Sequence, residues 1–360
     1  MKRILAGLLA GAMLLGLSAC GKDAEGSSPE PVTAETETSA EMTSAETTSA
    51  VADDTATSVE ECLKKLEALD FSFDDIEIAT NEKGKYIVPP LSDKVPENAA
   101  YKGTVKKFAR DFHDEETNAL YVIYFDEHGN KLLRLVSKDG GELAVDENCS
   151  YEYDANGNIL VERCVSDYVD RIVKYRYDEN GRKLAQKAVC NGAPNDVEYY
   201  EYDEYGNEVF NCHGNYGVFE PYELSDEPLI WDKRNLQYDA RGNILSYDLY
   251  KHGKDTLYST FTLTYDDKDR VLTSEEVFAD YSEAPDENDY GERLTFEYGA
   301  YSDAPTLYTE SVLDAPDHID VTTTEERRYD EKGRIVYFKR TNTKYDNVVT
   351  ETVTEYEDYQ

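Results

Sequence analysis

Tyr153-Asp154-Ala155-Asn156-Gly157-Asn158 is one copy of a phrase that this chain keeps repeating: an aromatic residue, aspartate, two variable residues, glycine, then asparagine or arginine. The other full copies are Phe125-Asp126-Glu127-His128-Gly129-Asn130, Tyr177-Asp178-Glu179-Asn180-Gly181-Arg182, Tyr202-Asp203-Glu204-Tyr205-Gly206-Asn207, Tyr238-Asp239-Ala240-Arg241-Gly242-Asn243 and Tyr329-Asp330-Glu331-Lys332-Gly333-Arg334. In a seventh, Tyr265-Asp266-Asp267-Lys268-Asp269-Arg270, Asp269 stands where the glycine should be. Such self-similarity is the mark of a repeat architecture. Each copy reads as a hairpin turn. Glycine supplies the positive φ that closes a short loop, and the aspartate carboxylate can accept hydrogen bonds from N–H groups two residues on.

Outward from the turn, the flanks read as strands. Tyr151-Glu152-Tyr153, Tyr175-Arg176-Tyr177 and Tyr200-Glu201-Tyr202 alternate aromatic and polar residues, the period of a half-buried strand. The third position after each glycine is apolar: Leu132, Leu160, Leu184, Val209, Leu245 and Val336, with Leu272 in the copy that lacks glycine. Successive aspartates stand roughly 24–36 residues apart until Asp330, which follows Asp266 at about twice that distance. Phe296-Glu297-Tyr298-Gly299 fills the gap as a decayed copy, and Glu355-Tyr356-Glu357-Asp358 looks like a strand reaching a turn that is never made. About eight hairpins, or roughly sixteen strands, follow, more than an open sheet keeps flat. The expected fold class is all-β: tandem hairpins in a long, twisted and curled antiparallel sheet, preceded by one short helix. One rim carries the uniform turns. The other is expected to carry irregular loops at 192–196, 282–290, 303–305 and 314–318, and the long excursion 213–234.

Residues 1–20 have the form of a targeting signal. Lys2 and Arg3 are followed by an apolar run, too short to span a bilayer, and by Leu17-Ser18-Ala19-Cys20. Residues 21–58, rich in Ala, Thr, Ser and Glu, bury too little apolar surface to order and read as a disordered tether. Ser58 and Glu61 form a capping box ahead of the apolar stripe Val59, Cys62, Leu63, Leu66 and Leu69, so a helix is expected over 58–69. We divide the chain into the signal (1–20), the tether (21–58), a helix and cap region covering the first sheet edge (59–118) and the hairpin repeats (119–360).

Two resemblances attach to these residues. Leu17-Ser18-Ala19-Cys20 resembles the lipobox of bacterial lipoproteins. This implies that Cys20 carries fatty acyl chains such as palmitate, becomes the mature N-terminus and anchors the protein to an envelope membrane outside the cytoplasm. The repeated phrase resembles the tyrosine-aspartate (YD, or Rhs-type) repeats of bacterial surface and toxin-delivery proteins, whose tandem hairpins form a continuous β-sheet spiral. That resemblance covers about residues 119–360. The chain has too few units for a closed cocoon and no proline-rich self-cleavage segment, so the toxin function is not carried over. Some proteins of this kind are credited with binding carbohydrate.

Composition narrows the chemistry. Asp and Glu number 76 against 37 Lys and Arg, a net charge of −39, which excludes nucleic acid and electrostatic docking on anionic lipid. The five histidines, His113, His128, His213, His252 and His318, are scattered with no nucleophile–base arrangement, and no phosphate loop or metalloprotease helix occurs. We therefore expect a protein that is not an enzyme, with no cofactor. Calcium loops are faintly suggested at Asp154 and Asp266, but the turn already explains the first; no metal site is expected. Cys149 and Cys164 flank one hairpin symmetrically and could meet as a disulfide or remain buried thiols. Cys190 and Cys212 lie around the next turn less symmetrically.

Most of the 30 tyrosines occupy fixed strand positions and serve the sheet. Trp231, the sole tryptophan, with Tyr222 and Phe219, lies off the repeat and makes the better binding candidate, on a rim loop. The expected function is a membrane-anchored, non-catalytic binding or adhesion module for a glycan or surface protein. The alternative is a structural or assembly component of the envelope that pairs through its sheet edge.

Overall fold

The computed structural model describes residues 48–49, 58–76, 79–82, 85–111, 115–217, 222–251, 256–279, 290–299, 303–315, 318–343 and 348–359. The signal with Cys20, nearly all of the tether, and Phe219 lie outside the described residues. A two-residue strand β1 (Thr48–Ser49) and helix α1 (Val59–Glu67) come first. The hairpin strands then run β2 (Tyr101–Arg110), β3 (Glu116–Phe125), β4 (Lys131–Lys138), β5 (Ala144–Tyr153), β6 (Ile159–Ser166), β7 (Asp170–Tyr177), β8 (Lys183–Cys190), β9 (Ala193–Tyr202) and β10 (Glu208–Asn215). After them come β11 (Leu229–Tyr238), β12 (Ile244–Lys251), β13 (Leu257–Tyr265), β14 (Val271–Phe278), β15 (Gly291–Tyr298), β16 (Pro305–Ala315), β17 (His318–Tyr329), β18 (Ile335–Asn342) and β19 (Val348–Asp358).

From β2 to β19 each strand pairs antiparallel with the next, and β19 returns to β2 in a ten-position register from Val349↔Arg110 to Asp358↔Tyr101. The open, curled sheet expected from the repeats is therefore wrong: the eighteen strands close into a barrel. Sixteen of them form the eight hairpins around the repeat turns. The two left over, β2 and β19, are each other's partners. An open sheet would leave two rows of unpaired N–H and C=O groups, and closure removes both. The boundary drawn at 118/119 falls inside β3, so the closing strand β2 comes from the segment read as a cap.

The turns behave alike. In all six copies that keep the glycine, its N–H donates to the aspartate carbonyl at 3.0–3.2 Å, and Asp126, Asp154, Asp178, Asp203, Asp239 and Asp330 each accept through one carboxylate oxygen from the N–H groups two and four residues on. Gly129, Gly157, Gly181, Gly206, Gly242 and Gly333 all have positive φ, and Asp269 takes the same region at φ 64°. Three expectations for the opposite rim fail: the loop expected at 314–318 is one, since β16 runs to Ala315 and β17 opens at His318, its pairing partner. Residues 192–196 are no loop: Asn191 and Gly192 (φ 50° and 78°) make a two-residue turn and β9 begins at Ala193. Residues 303–305 lie on the repeat rim, because Tyr298 ends β15 where the other copies end their strands.

The tyrosine before each aspartate staples neighbouring hairpins. Tyr177, Tyr202, Tyr265, Tyr298, Tyr329 and Tyr356 each donate their hydroxyl to the carbonyl of the residue that opens the previous return strand, at 2.7–3.0 Å. Tyr153 and Tyr238 donate instead to the turn carboxylates of Asp126 and Asp203.

Helix α1 carries the full capping box of Ser58 and Glu61. Its Cys62 and Leu66 bury against Val197, Phe210, Cys212 and Ile230 of the wall, and a Cys62–Cys212 disulfide (Cα–Cα 6.0 Å) rivets it there. Cys212 is thus not the partner of Cys190, which stays a free thiol. Nor does α1 cap a sheet edge; it lies on the wall. From the helix the chain crosses the same face back towards β2. Lys174 holds the Ser72 carbonyl (2.7 Å) and Asp75, Tyr86 reaches Asp170, itself gripped by Arg163, and Ser92 exchanges two hydrogen bonds with Asn148.

Candidate functional site

Strand alternation gives the wall two faces, and their chemistry tells inside from outside. The face carrying α1 also holds Lys106 and Glu355 (3.7 Å), 69% and 73% exposed in mid-strand, and the Arg328–Glu326 and Lys102–Glu357 pairs. Convex walls expose side chains in this way. On the other face burial is the largest cause of the shifts, pushing Lys183 and Lys233 down and Glu208 and Glu276 up. Lys233 is half-buried and its ammonium donates to the Glu208 carbonyl at 2.8 Å. That face lines the lumen. A barrel of about 18 strands is wide enough for a watery interior. Among the described residues, the outer wall carries these charged pairs in mid-strand, where a lipid-embedded barrel carries an apolar band about 25 Å tall.

Trp231 is a strand residue, not a loop residue. It sits on β11 opposite Asn211 of β10 and Lys251 of β12, with its ring in the lumen. The Lys251 ammonium lies 4.2 Å from the Trp231 ring centroid and 3.2 Å from that of Tyr258. Two residues along, Lys233 approaches the ring of Tyr247 (5.2 Å), which stacks on Phe261 at 4.7 Å. Glu276 faces Phe261 across β13–β14, and Ser259, fully buried, belongs to the same patch; burial raises the Glu276 carboxyl, while Ser259 and Lys251 pull it down. Stacking surfaces beside ammonium, carboxylate and hydroxyl groups can hold a polar ring: flat faces for its C–H side, hydrogen-bonding groups for its hydroxyls.

Across the β10–β11 junction the lumen holds a second group. His213 contacts Glu198 at 2.8 Å and Asn215 at 3.1 Å, and Tyr200 donates to Glu198. Desolvation opposes the His213 proton, but Glu198, Asn215 and Asp196 together hold its pKa above the ordinary value. The sequence showed no partner for His213, because the register that places Glu198 opposite it is set by β9–β10 pairing. Tyr222 is half-buried in the 216–228 connection, and no described contact brings it to Trp231.

Cys149 and Cys164 stand directly opposite on β5 and β6 (Cα–Cα 4.2 Å) and form a disulfide on the lumen face. With Glu147 they make the one described cluster of metal-ligating atoms, but the sulfurs are joined to each other and Glu147 is engaged by Lys131 and Arg134. At the turns suspected of calcium binding, the Asp154 and Asp266 carboxylates are taken by Asn156 and Asn158, and by Lys268 and Arg270.

No family model matches the chain, and no curated protein matches it either. Among solved structures it is similar to a porin-like protein from Bacteroides uniformis, at 11% identity and a TM-score of 0.31, over 73% of this chain and 98% of that one. A similarity of that size is no basis for transferring fold or function. The site therefore rests on its own geometry, and its Trp231, Lys251 and Tyr258 come from three adjacent strands rather than from one motif.

Proposed function

We propose that this protein is a lipoprotein of the bacterial envelope, anchored outside the cytoplasm through Cys20, that binds a glycan or glycan-bearing surface polymer in its barrel without catalysis. The observation that carries this reading is the lumen patch of Trp231, Lys251 and Tyr258, an aromatic surface bordered by charge. The lipobox-like Leu17-Ser18-Ala19-Cys20 supports the anchor, and the charged outer wall supports a barrel standing in water beside its membrane. The alternative, assembly through a sheet edge, loses its surface, since β2 and β19 occupy each other's edges.

The test is an array of glycans and cell-wall polymers probed with the acyl-free chain beginning at Gly21, beside its Trp231→Ala and Tyr222→Ala variants. Saturable binding weakened at least tenfold by Trp231→Ala alone is the expected result. Loss with Tyr222→Ala alone would move the site to the rim connection. No binding to any glycan would sink the carbohydrate reading.

A further inference from the structure

The barrel wall is not equally strong all round. Most neighbouring strands pair over five to ten positions, but β10 and β11 meet only at Phe210–His213 against Asp232–Leu229. The β4–β5 seam is equally short, yet a tight loop joins those two strands. Between β10 and β11 the link is the long connection 216–228. Beyond Asp232, β11 bends at Asn235 (φ 52°), and further on Gln237 and Tyr238 pair with Ser49 and Thr48 of β1.

Helix α1 lies on the outside beside this seam, packed on β9 and β10. Its buried cluster takes Val197 from β9 and Phe210 and Cys212 from β10, and Ile230 of β11, which pairs with Cys212, joins the same cluster. At Gly214 an added methyl would come within 2.8 Å of the Cδ1 atoms of both Leu66 of the helix and Leu224 of the connection, so the two side chains close down on β10 over a glycine. The rivet is Cys62–Cys212, joining residues 150 apart in the chain. On the lumen side, the seam is flanked by Trp231 and Lys233, whose ammonium donates to the Glu208 carbonyl at 2.8 Å.

We propose that the β10–β11 seam is a side entrance to the lumen, and that α1 with its disulfide is the bolt that keeps it shut. The disulfide and the short junction adjoin: Cys212, held to α1 through Cys62, stands opposite Ile230 across the seam, so side-chain packing and one covalent bond reinforce the few backbone pairs there. How the compartment is closed does not depend on what the lumen binds.

Trp231, the only tryptophan, is a built-in reporter on the inner lip. In the full chain, Cys62→Ser/Cys212→Ser should raise acrylamide quenching of its fluorescence at least threefold. Amide exchange over 208–215 and 229–238 should accelerate at least tenfold, while β2, β3 and β19 keep their protection. Cys149→Ser/Cys164→Ser, which removes the other disulfide, should leave both readings at the seam unchanged. Leu66→Ala keeps the rivet but loosens the packing and should give a smaller shift of the same kind; it supplies the answer if the double cysteine variant unfolds as a whole. Fast exchange in α1 with unchanged Trp231 quenching and unchanged exchange in β10 and β11 would overturn the proposal, because the wall would then close without its bolt.

Discussion

At the residue scale the repeat is a hydrogen-bonding device. Asp154 accepts from the Asn156 and Asn158 N–H groups at 2.8 and 2.9 Å and from the Asn158 side-chain amide at 2.8 Å. The Asn158 amide and then its N–H hold the Asp154 carboxyl below its ordinary 3.8 despite some desolvation. A lowered carboxyl pKa stabilises the fold above the unfolded value, and that contribution is lost as pH falls through the folded value. Asp178, Asp239, Asp266 and Asp330 are shifted the same way, so unfolding monitored by circular dichroism should show stability falling steeply below about pH 4 and level well above it. Gly157, at φ +86° with only His128 near its missing side chain, isolates the backbone requirement. Gly157→Ala should cost about 1–2 kcal/mol in a urea titration, without the steric clash that Gly242→Ala would add against Tyr205.

At the element scale the hairpins need their neighbours. Each rim tyrosine donates into the preceding unit, so no hairpin completes its hydrogen bonding alone; Tyr202 on Lys183 is an instance. Helix α1 is a different case: nine residues are too few to be stable in isolation, and its order comes from the wall and from Cys62–Cys212. Closing a 150-residue loop should make that disulfide worth about 5 kcal/mol by chain entropy against about 3 kcal/mol for the 15-residue Cys149–Cys164 link, so Cys62→Ser/Cys212→Ser should lower the urea midpoint more than Cys149→Ser/Cys164→Ser. The helix and its cap were legible from Ser58 and Glu61. Its place on the β9–β10 wall was not, because a capping box states where a helix starts and says nothing of what its apolar stripe meets.

At the scale of the whole molecule, closure decides both shape and surface. Deleting 348–360 removes β19 and bares the edges of β2 and β18, and such edges recruit other chains. The truncated protein should therefore dimerise or aggregate on size-exclusion chromatography, where the full acyl-free chain elutes as a monomer. Of the candidate site, the sequence singles out only Trp231, and its reading puts it on a rim loop. Nothing in Leu229-Ile230-Trp231-Asp232-Lys233 carries the Tyr-Asp phrase, so its strand could be seen only once paired. Lys251 and Tyr258 carried no signal at all: a lysine and a tyrosine among many become a patch only when three strands lie side by side.

By itself the sequence determines what is local. Aspartate and glycine at fixed offsets specify each turn, alternation specifies the strands before it, and Ser58 with Glu61 specifies the helix start, since every interaction involved spans four residues or fewer. Only the tertiary structure decides that β2 meets β19, that Cys212 meets Cys62 rather than Cys190, and that Trp231 faces inward. Those outcomes depend on the summed twist and register of eighteen strands. The need to satisfy backbone groups at both ends of the sheet then settles them, and no short stretch of chain encodes it.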